Sequence, residues 1–173
     1  MLIDELVKSG AVKFGDFTLT SGKKSKYYVD IKKASSSPGV LRSITEGFSG
    51  FGVEADMVAG VELGAVPLIV AYSLKNDIPF LIIRKKGREH GTRKGYEGQL
   101  NPGDRVLLLE DVITSGGSVL RAIDTIEEAG GEVVKVLTVV DRQEGGTEPV
   151  NRRSSLGSLV TAEDLLNASE DNI

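Results

Sequence analysis

Val106 to Ser118 reads VLLLEDVITSGGS. Four apolar residues, Val106 to Leu109, run into the adjacent carboxylates Glu110 and Asp111, and a Thr-Ser-Gly-Gly-Ser turn follows at 114–118. A short continuous apolar run bounded by turn residues marks a strand buried on both faces, as in a parallel sheet. Immediately downstream, SVLRAIDTIEEAGG carries the apolar spacing of an amphipathic helix and ends at Gly130-Gly131, residues suited to a helix C-terminus. Strand, glycine turn and helix form half of a βαβ unit, so the class is α/β with a mainly parallel central sheet flanked by helices.

The rest of the chain extends this pattern in both directions. DMVAGV, PFLIIR and EVVKVLTVVD read as further buried strands, with GAVPLIVAYSLKN as a helix between the first two. Ser37-Pro38 predicts the start of another helix running to about Phe51, with serine as N-cap and proline in the first turn. Upstream, Leu2 to Lys8 predicts a short helix stopped by Gly10, and KFGDFTLTSGKKSKYYVDI predicts short antiparallel strands. Lys85 to Gly98 is polar and glycine-rich without apolar periodicity, which predicts a long mobile loop. Beyond Gln143 the chain reads as a polar tail, with a short helix capped by Thr161 inside SLVTAEDLLN. The expected organisation is one domain over 1–173: N-terminal elements to about 35, a core over about 36–145, and the tail.

Composition narrows the function. The chain has 173 residues, 40% of them hydrophobic, enough for one domain with a real core. It has no cysteine, which excludes disulfides, thiolate metal sites and cysteine nucleophiles. A net charge of -4 is opposite to the basic excess of a general nucleic-acid binder. Asp4 and Glu5 interrupt the N-terminal apolar stretch, so it is no signal peptide, and no apolar run approaches the ~20 residues that span a bilayer. A cytoplasmic protein without membrane or nucleic-acid partners is expected.

In an open α/β sheet, ligands bind beyond the carboxyl ends of the strands, where Glu110 and Asp111 fall. The 114–118 turn offers backbone N–H groups at a helix start and three hydroxyls, a setting suited to phosphate. Carboxylates accept paired hydrogen bonds from a sugar diol. A single acid before a helix is ordinarily a cap; two acids, three hydroxyls and two glycines together fit a sugar phosphate. No Gly-Lys-Ser/Thr follows, so this is no Walker A loop.

These residues carry a resemblance. VLLLEDVITSGGS resembles the phosphoribosyl-pyrophosphate (PRPP) motif of type I phosphoribosyltransferases. FGDFTLTSGKKSKYYVD, RKKGREHG and VVDRQEGG resemble, in that order along the chain, the N-terminal segment, mobile catalytic loop and orotate-binding segment of orotate phosphoribosyltransferases. The PRPP motif alone marks the superfamily; four segments in order, from about Phe14 to Gly146, mark the narrower family. The resemblance implies a type I phosphoribosyltransferase fold with a small N-terminal hood. It implies conversion of orotate and PRPP to orotidine 5'-monophosphate and pyrophosphate, a step of UMP biosynthesis.

Residue by residue, it implies that Glu110 and Asp111 hold the ribose hydroxyls beside the reacting carbon. Val112, Ile113, Thr114, Ser115, Gly116, Gly117 and Ser118 complete the PRPP segment and fix the 5'-phosphate. Glu62, Leu63 and Gly64 form the pyrophosphate loop, with an unusual non-proline peptide bond placed at Glu62-Leu63. Arg84, Lys85, Lys86, Arg88, Arg93 and Lys94 face only Glu89, and cations closing over departing pyrophosphate would stabilise its charge. Arg84 and Lys85 are expected on the diphosphate. Arg88 stands where well-known bacterial members carry a catalytic lysine; arginine keeps the charge but donates protons poorly, which leaves Lys86, His90 or Lys94 to compensate.

For the base, Arg142 offers a fork matched to the carboxylate or a carbonyl pair of orotate, its alternative role being a pair with Asp141 or Glu144. Thr114, Lys26 and Tyr28 are expected beside it, with Tyr27 and Tyr28 able to close one face of the ring or simply to pack. Thr20 replaces a lysine common in the family, a contact that Lys24 or Lys26 would supply. Mg2+ is expected to arrive on PRPP through substrate oxygens and water, with no direct protein ligands. A homodimer with shared active sites is implied. Two rivals are a PRPP-sensing regulator on the same fold, which usually adds a nucleic-acid-binding segment, and a purine phosphoribosyltransferase, in which Arg142 and RKKGREHG would be unexpected.

Overall fold

The computed structural model describes residues 1–18, 22–85 and 94–170. Helix α1 (Leu2–Lys8) precedes a hairpin of β1 (Val12–Thr18) and β2 (Lys24–Val29), which pair antiparallel. Helices α2 (Ile31–Ser35) and α3 (Pro38–Ser49) lead into β3 (Met57–Val61), α4 (Val66–Asn76), β4 (Phe80–Ile83) and β5 (Tyr96–Glu97). Then follow β6 (Arg105–Ile113), α5 (Gly117–Glu128), β7 (Glu132–Asp141), α6 (Thr147–Asn151), β8 (Leu156–Thr161) and α7 (Ala162–Glu170). The main sheet has the order β5-β4-β3-β6-β7-β8. All its pairings are parallel except β5 on β4.

Strand β6 lies at the centre, between β3 and β7. Its side chains alternate between two cores, which is why the run Val106–Leu109 has no polar member. Leu107 and Leu109 pack with Val58, Ile44, Phe48, Leu68 and Ile69 on the α3/α4 side. Val106 and Leu108 pack with Met57, Ala59, Ala122, Ile123 and Ile126 on the α5 side. All four are fully buried. Burial of such a side chain contributes roughly 1.5–3 kcal/mol, and truncating one to alanine costs about 2–5 kcal/mol once the cavity is included.

The N-terminal elements have no core of their own. Leu6, Ala11, Tyr27 and Ile31 belong to the same apolar cluster as α3 and α4, which fixes the hairpin against the sheet domain. Asp30 caps α2 by accepting from the Lys33 N–H at 3.2 Å.

The sequence reading differs from this structure in four places. It omitted α2, whose single turn is too short for a periodic signal. The expected loop from Lys85 to Gly98 contains β5, anchored by Ile82–Glu97 and Ile83–Tyr96 pairing and by the Arg84 N–H on the Gly95 carbonyl at 2.9 Å. The polar tail contains α6 and β8, and β8 extends the sheet beyond β7. Finally, α3 ends at Ser49, and its N-cap Ser37 makes no side-chain cap bond. Thr161 does cap α7: its hydroxyl accepts from the Asp164 N–H at 3.1 Å while the Asp164 carboxylate accepts from the Thr161 N–H at 2.8 Å. No helix among the described residues is long and apolar enough to cross a membrane.

Candidate active site

The carboxyl ends of β3, β6 and β7 converge on one edge of the sheet. A cavity of about 300 Å³ opens there, lined by Glu62, Leu63, Gly64, Lys85, Glu110, Asp111, Val112 and Ser118, and also by Lys32. A neighbouring hollow of about 160 Å³ is walled by 112–119 and Arg121. Glu110 and Ser118 line both, so the acid pair and the glycine turn form one continuous site.

Glu110 is only 5% exposed. Burial pushes its carboxyl well above the usual carboxylate range, and the hydrogen bond and negative charge of Asp111 push it further. The Asp111 N–H and the Lys85 charge oppose this shift. The Glu110 Oε1 accepts that N–H at 3.0 Å, and the Asp111 Oδ1 accepts the Val112 N–H at 2.9 Å, so each carboxylate is held by the next residue's backbone.

The 114–118 turn is shaped by Gly116, whose φ of 80° is left-handed and places the first helical residue at Gly117. Its outer side is closed by the β7–α6 connection. The Gly146 N–H donates to the Thr114 carbonyl and the Arg142 N–H to the Ile113 carbonyl, both at 2.9 Å. Asp141, 5% exposed, holds that connection in place by accepting the Gln143 N–H and the Thr147 hydroxyl, both at 2.8 Å.

On the other side of the acid pair, the peptide bond Glu62-Leu63 is cis, at the position expected from the sequence. The Glu62 carboxylate accepts the Lys85 N–H at 2.9 Å, tying the loop after β3 to the end of β4. Gly64 lies directly against Asp111: a Cβ there would stand 2.1 Å from the Asp111 Oδ2.

Arg84 pairs with Glu97 at 2.9 Å and lines, with Lys85 and Arg121, a third hollow of about 170 Å³ beside the main cavity. Its Nε is buried without a hydrogen-bond partner among the described residues.

Arg142 lies at the end of β7 with a side chain only 9% exposed. Its Nε donates to Glu144 at 2.8 Å, its Nη2 to the Ser25 hydroxyl at 3.3 Å, and its ζ carbon lies 4.9 Å from the Tyr27 ring centre. The pairing is thus with Glu144, while Asp141 organises the connection. The guanidinium also hydrogen-bonds the Tyr27 side chain. Alternation along β2 separates the predicted base-site residues: Tyr27 meets Arg142, whereas Tyr28 packs against Phe17 at 5.9 Å on the exposed side. Lys26 pairs with Asp16 at 2.6 Å on that outer side.

Lys86, Arg88, His90 and Thr20 lie outside the described residues. Among the described residues, no cluster of three or more acidic or histidine side chains could hold a metal. Sequence reasoning missed Lys32 and Arg121 at these cavities, and Ser25 as the partner of Arg142. Arg121 was findable, since it stands three residues after Ser118 on the helix that leaves the turn.

Residues 39–161 match the phosphoribosyl transferase domain family. The chain is 50% identical to the orotate phosphoribosyltransferase of Pyrococcus abyssi over 173 residues, covering 97% of this chain and 95% of that one. The crystal structure of the orotate phosphoribosyltransferase from Aeropyrum pernix superposes with a TM-score of 0.89 at 30% identity, covering 98% of each chain. The Mycobacterium tuberculosis orotate phosphoribosyltransferase in complex with PRPP superposes with a TM-score of 0.76 at 30% identity, over 94% of this chain and 96% of that one.

Proposed function

The chain belongs to the orotate phosphoribosyltransferases of the phosphoribosyl transferase domain family, and from that premise we propose how its residues divide the reaction. The enzyme joins orotate to the phosphoribosyl group of PRPP, giving orotidine 5'-monophosphate and pyrophosphate in pyrimidine biosynthesis. The observation that carries the division of labour is the placement of Glu110 and Asp111 between the Glu62–Gly64 loop and the Thr114–Ser118 turn.

The 5'-phosphate sits in the turn, where α5 begins and N–H groups point outward. The ribose hydroxyls donate to Glu110 and Asp111. As the bond from the anomeric carbon to pyrophosphate lengthens, positive charge develops on the ring, and carboxylates beneath it stabilise that charge. The pyrophosphate leaves over Glu62, Leu63 and Gly64, with Lys85 beside it. The basic residues that follow Lys85 in sequence, Lys86, Arg88 and His90 among them, carry the remaining positive charge to the leaving group. Mg2+ enters with PRPP and neutralises diphosphate charge, held by substrate oxygens and water.

Orotate docks on the outer edge of Arg142, whose inner edge is held by Glu144 and Ser25. Thr114 joins it from the phosphate turn. A guanidinium fixed on one edge presents its other donors to a carboxylate with little orientational entropy left to lose. In this reading Tyr27 backs Arg142 rather than the base. Lys26 and Tyr28 reach the base only from the hood's outer face. The enzyme works as a cytoplasmic homodimer in which the basic segment after Lys85 serves the neighbouring subunit's site.

The test is direct. Incubate the protein with PRPP, Mg2+ and each free base in turn, and follow orotate loss by ultraviolet absorbance. Orotate consumption dependent on PRPP is expected; turnover of a purine base and not orotate would overturn the reading.

A further inference from the structure

The main cavity has an unbalanced lining. Glu62, Glu110 and Asp111 contribute three carboxylates, against the ammonium groups of Lys85 and Lys32. The loop that receives pyrophosphate in the reading above brings no cation of its own: it offers an acid, a leucine 71% exposed and a glycine. A polyanion entering this cavity therefore depends on charge from elsewhere. Lys85 supplies some of it from the end of β4. The other cation comes from α2, an element outside the sheet.

Two features hold Lys32 at the cavity mouth. Its neighbour Ile31 is 1% exposed and locked into the core, and Asp30 caps the turn through the Lys33 N–H. The side chain itself is lightly committed. Its ammonium lies 3.9 Å from the Asp30 Oδ1, an oxygen already accepting the Lys33 N–H, and its side chain is 58% exposed. Exposed pairs of this length contribute little, so the ammonium can turn toward an arriving anion at small cost. A lysine is suited to this work, because its ammonium is a compact charge on a flexible stem.

We propose that Lys32 is a substrate-binding residue that contacts the diphosphate of PRPP, adding a hood-side cation to Lys85 in the same cavity. The proposal rests on the functional reading given above. It assigns α2 a purpose: the turn carries a charge to a cavity whose lining is otherwise mostly acidic. It also links the N-terminal elements to the diphosphate as well as to the base.

The test compares the full-length protein with Lys32→Ala and Lys32→Arg. For Lys32→Ala, the KM for PRPP should rise about tenfold, as for loss of one charge-assisted contact, with the KM for orotate and the melting temperature little changed. Lys32→Arg should restore most of the loss. Inhibition by added pyrophosphate should weaken in parallel, because the contact is with the diphosphate. Titration calorimetry of PRPP with Mg2+ reads the same contact without turnover. Failure of the parent protein to use orotate would then count against the functional reading alone. Equal PRPP affinity in parent and Lys32→Ala by calorimetry would overturn the proposal, as would equal weakening for PRPP and orotate.

Discussion

Gly64→Ala tests whether the acid pair depends on its clearance from the Glu62–Gly64 loop. A Cβ at Gly64 would lie 2.1 Å from the Asp111 Oδ2, 2.4 Å from its Cγ and 2.9 Å from its Oδ1. Ordinary contact needs about 3.5 Å, so loop or carboxylate must retreat by more than 1 Å. The carboxylate is not loose, because its Oδ1 holds the Val112 N–H at 2.9 Å. Misplacing a reacting group by about 1 Å costs on the order of 100-fold in rate. We expect kcat/KM for PRPP to fall by about that factor. Gly39→Ala is the control: a Cβ there meets nothing within 4 Å in α3, so activity should be unchanged and stability equal or slightly higher. In an Asp111→Ala background the colliding atoms are gone, and adding Gly64→Ala should cost far less than in the parent. Near-parental turnover in Gly64→Ala would refute the reasoning. So would full additivity with Asp111→Ala, which would place the effect in the loop and not in the carboxylate.

Three further outcomes are expected. Glu110→Gln combined with Asp111→Asn keeps size but removes charge beneath the developing cation, so turnover should fall at least about 100-fold, the usual cost of one aligned electrostatic group; near-parental turnover would remove the pair from the chemistry. Arg142→Ala should raise the KM for orotate far more than the KM for PRPP, and equal increases would move Arg142 away from the base. Glu110→Gln should also stabilise the fold in a pH-dependent way. Burial raises the folded-state pKa of Glu110 above its unfolded value, so the stability linked to its proton is complete below the unfolded pKa and lost as pH rises through the folded one. The melting-temperature advantage of Glu110→Gln should therefore grow from about pH 4 toward neutrality, and an offset constant with pH would show that burial of the charge is not its cause.

What could be read from the sequence was whatever has a local cause. The run Val106–Leu109 is apolar because both of its faces are buried, and that is visible as four letters. The acid pair and the glycine turn adjoin it in sequence, so half of the site came with the strand. The cis bond at Glu62-Leu63 was placed by resemblance and not by any local propensity. The elements that were missed lack a local signal. Strand β8 is a strand because β7 offers it an edge, and its own residues, LGSLVT, alternate only weakly. Strand β5 has only two residues and is defined by its partner β4. Lys32 reaches the cavity, and Ser25 reaches Arg142, only because the N-terminal elements share one core with α3 and α4. No spacing between residue 25 and residue 142 announces their contact.

The same logic explains why the proposed phosphate and base subsites form a unit although β6 and β7 bring them from different stretches of chain. Gly146 makes the join. A Cβ there would stand 2.5 Å from the Thr114 carbonyl oxygen and 2.6 Å from the Gly116 nitrogen, so only glycine lets the β7–α6 connection lie flat on the phosphate turn. At that distance its N–H satisfies the Thr114 carbonyl, and the Arg142 N–H satisfies that of Ile113. Backbone that would otherwise need water is paired, and the guanidinium of Arg142 is set at a fixed offset from the phosphate cup. The offset between base and 5'-phosphate in the product is equally fixed, by the sugar between them. A site that must bring the base to the anomeric carbon while holding the phosphate benefits from two rigidly joined subsites, because the orientational cost is met in folding and not at each turnover. Asp141 reinforces this from beneath with two bonds into the same connection, which accounts for a buried carboxylate that touches neither cavity.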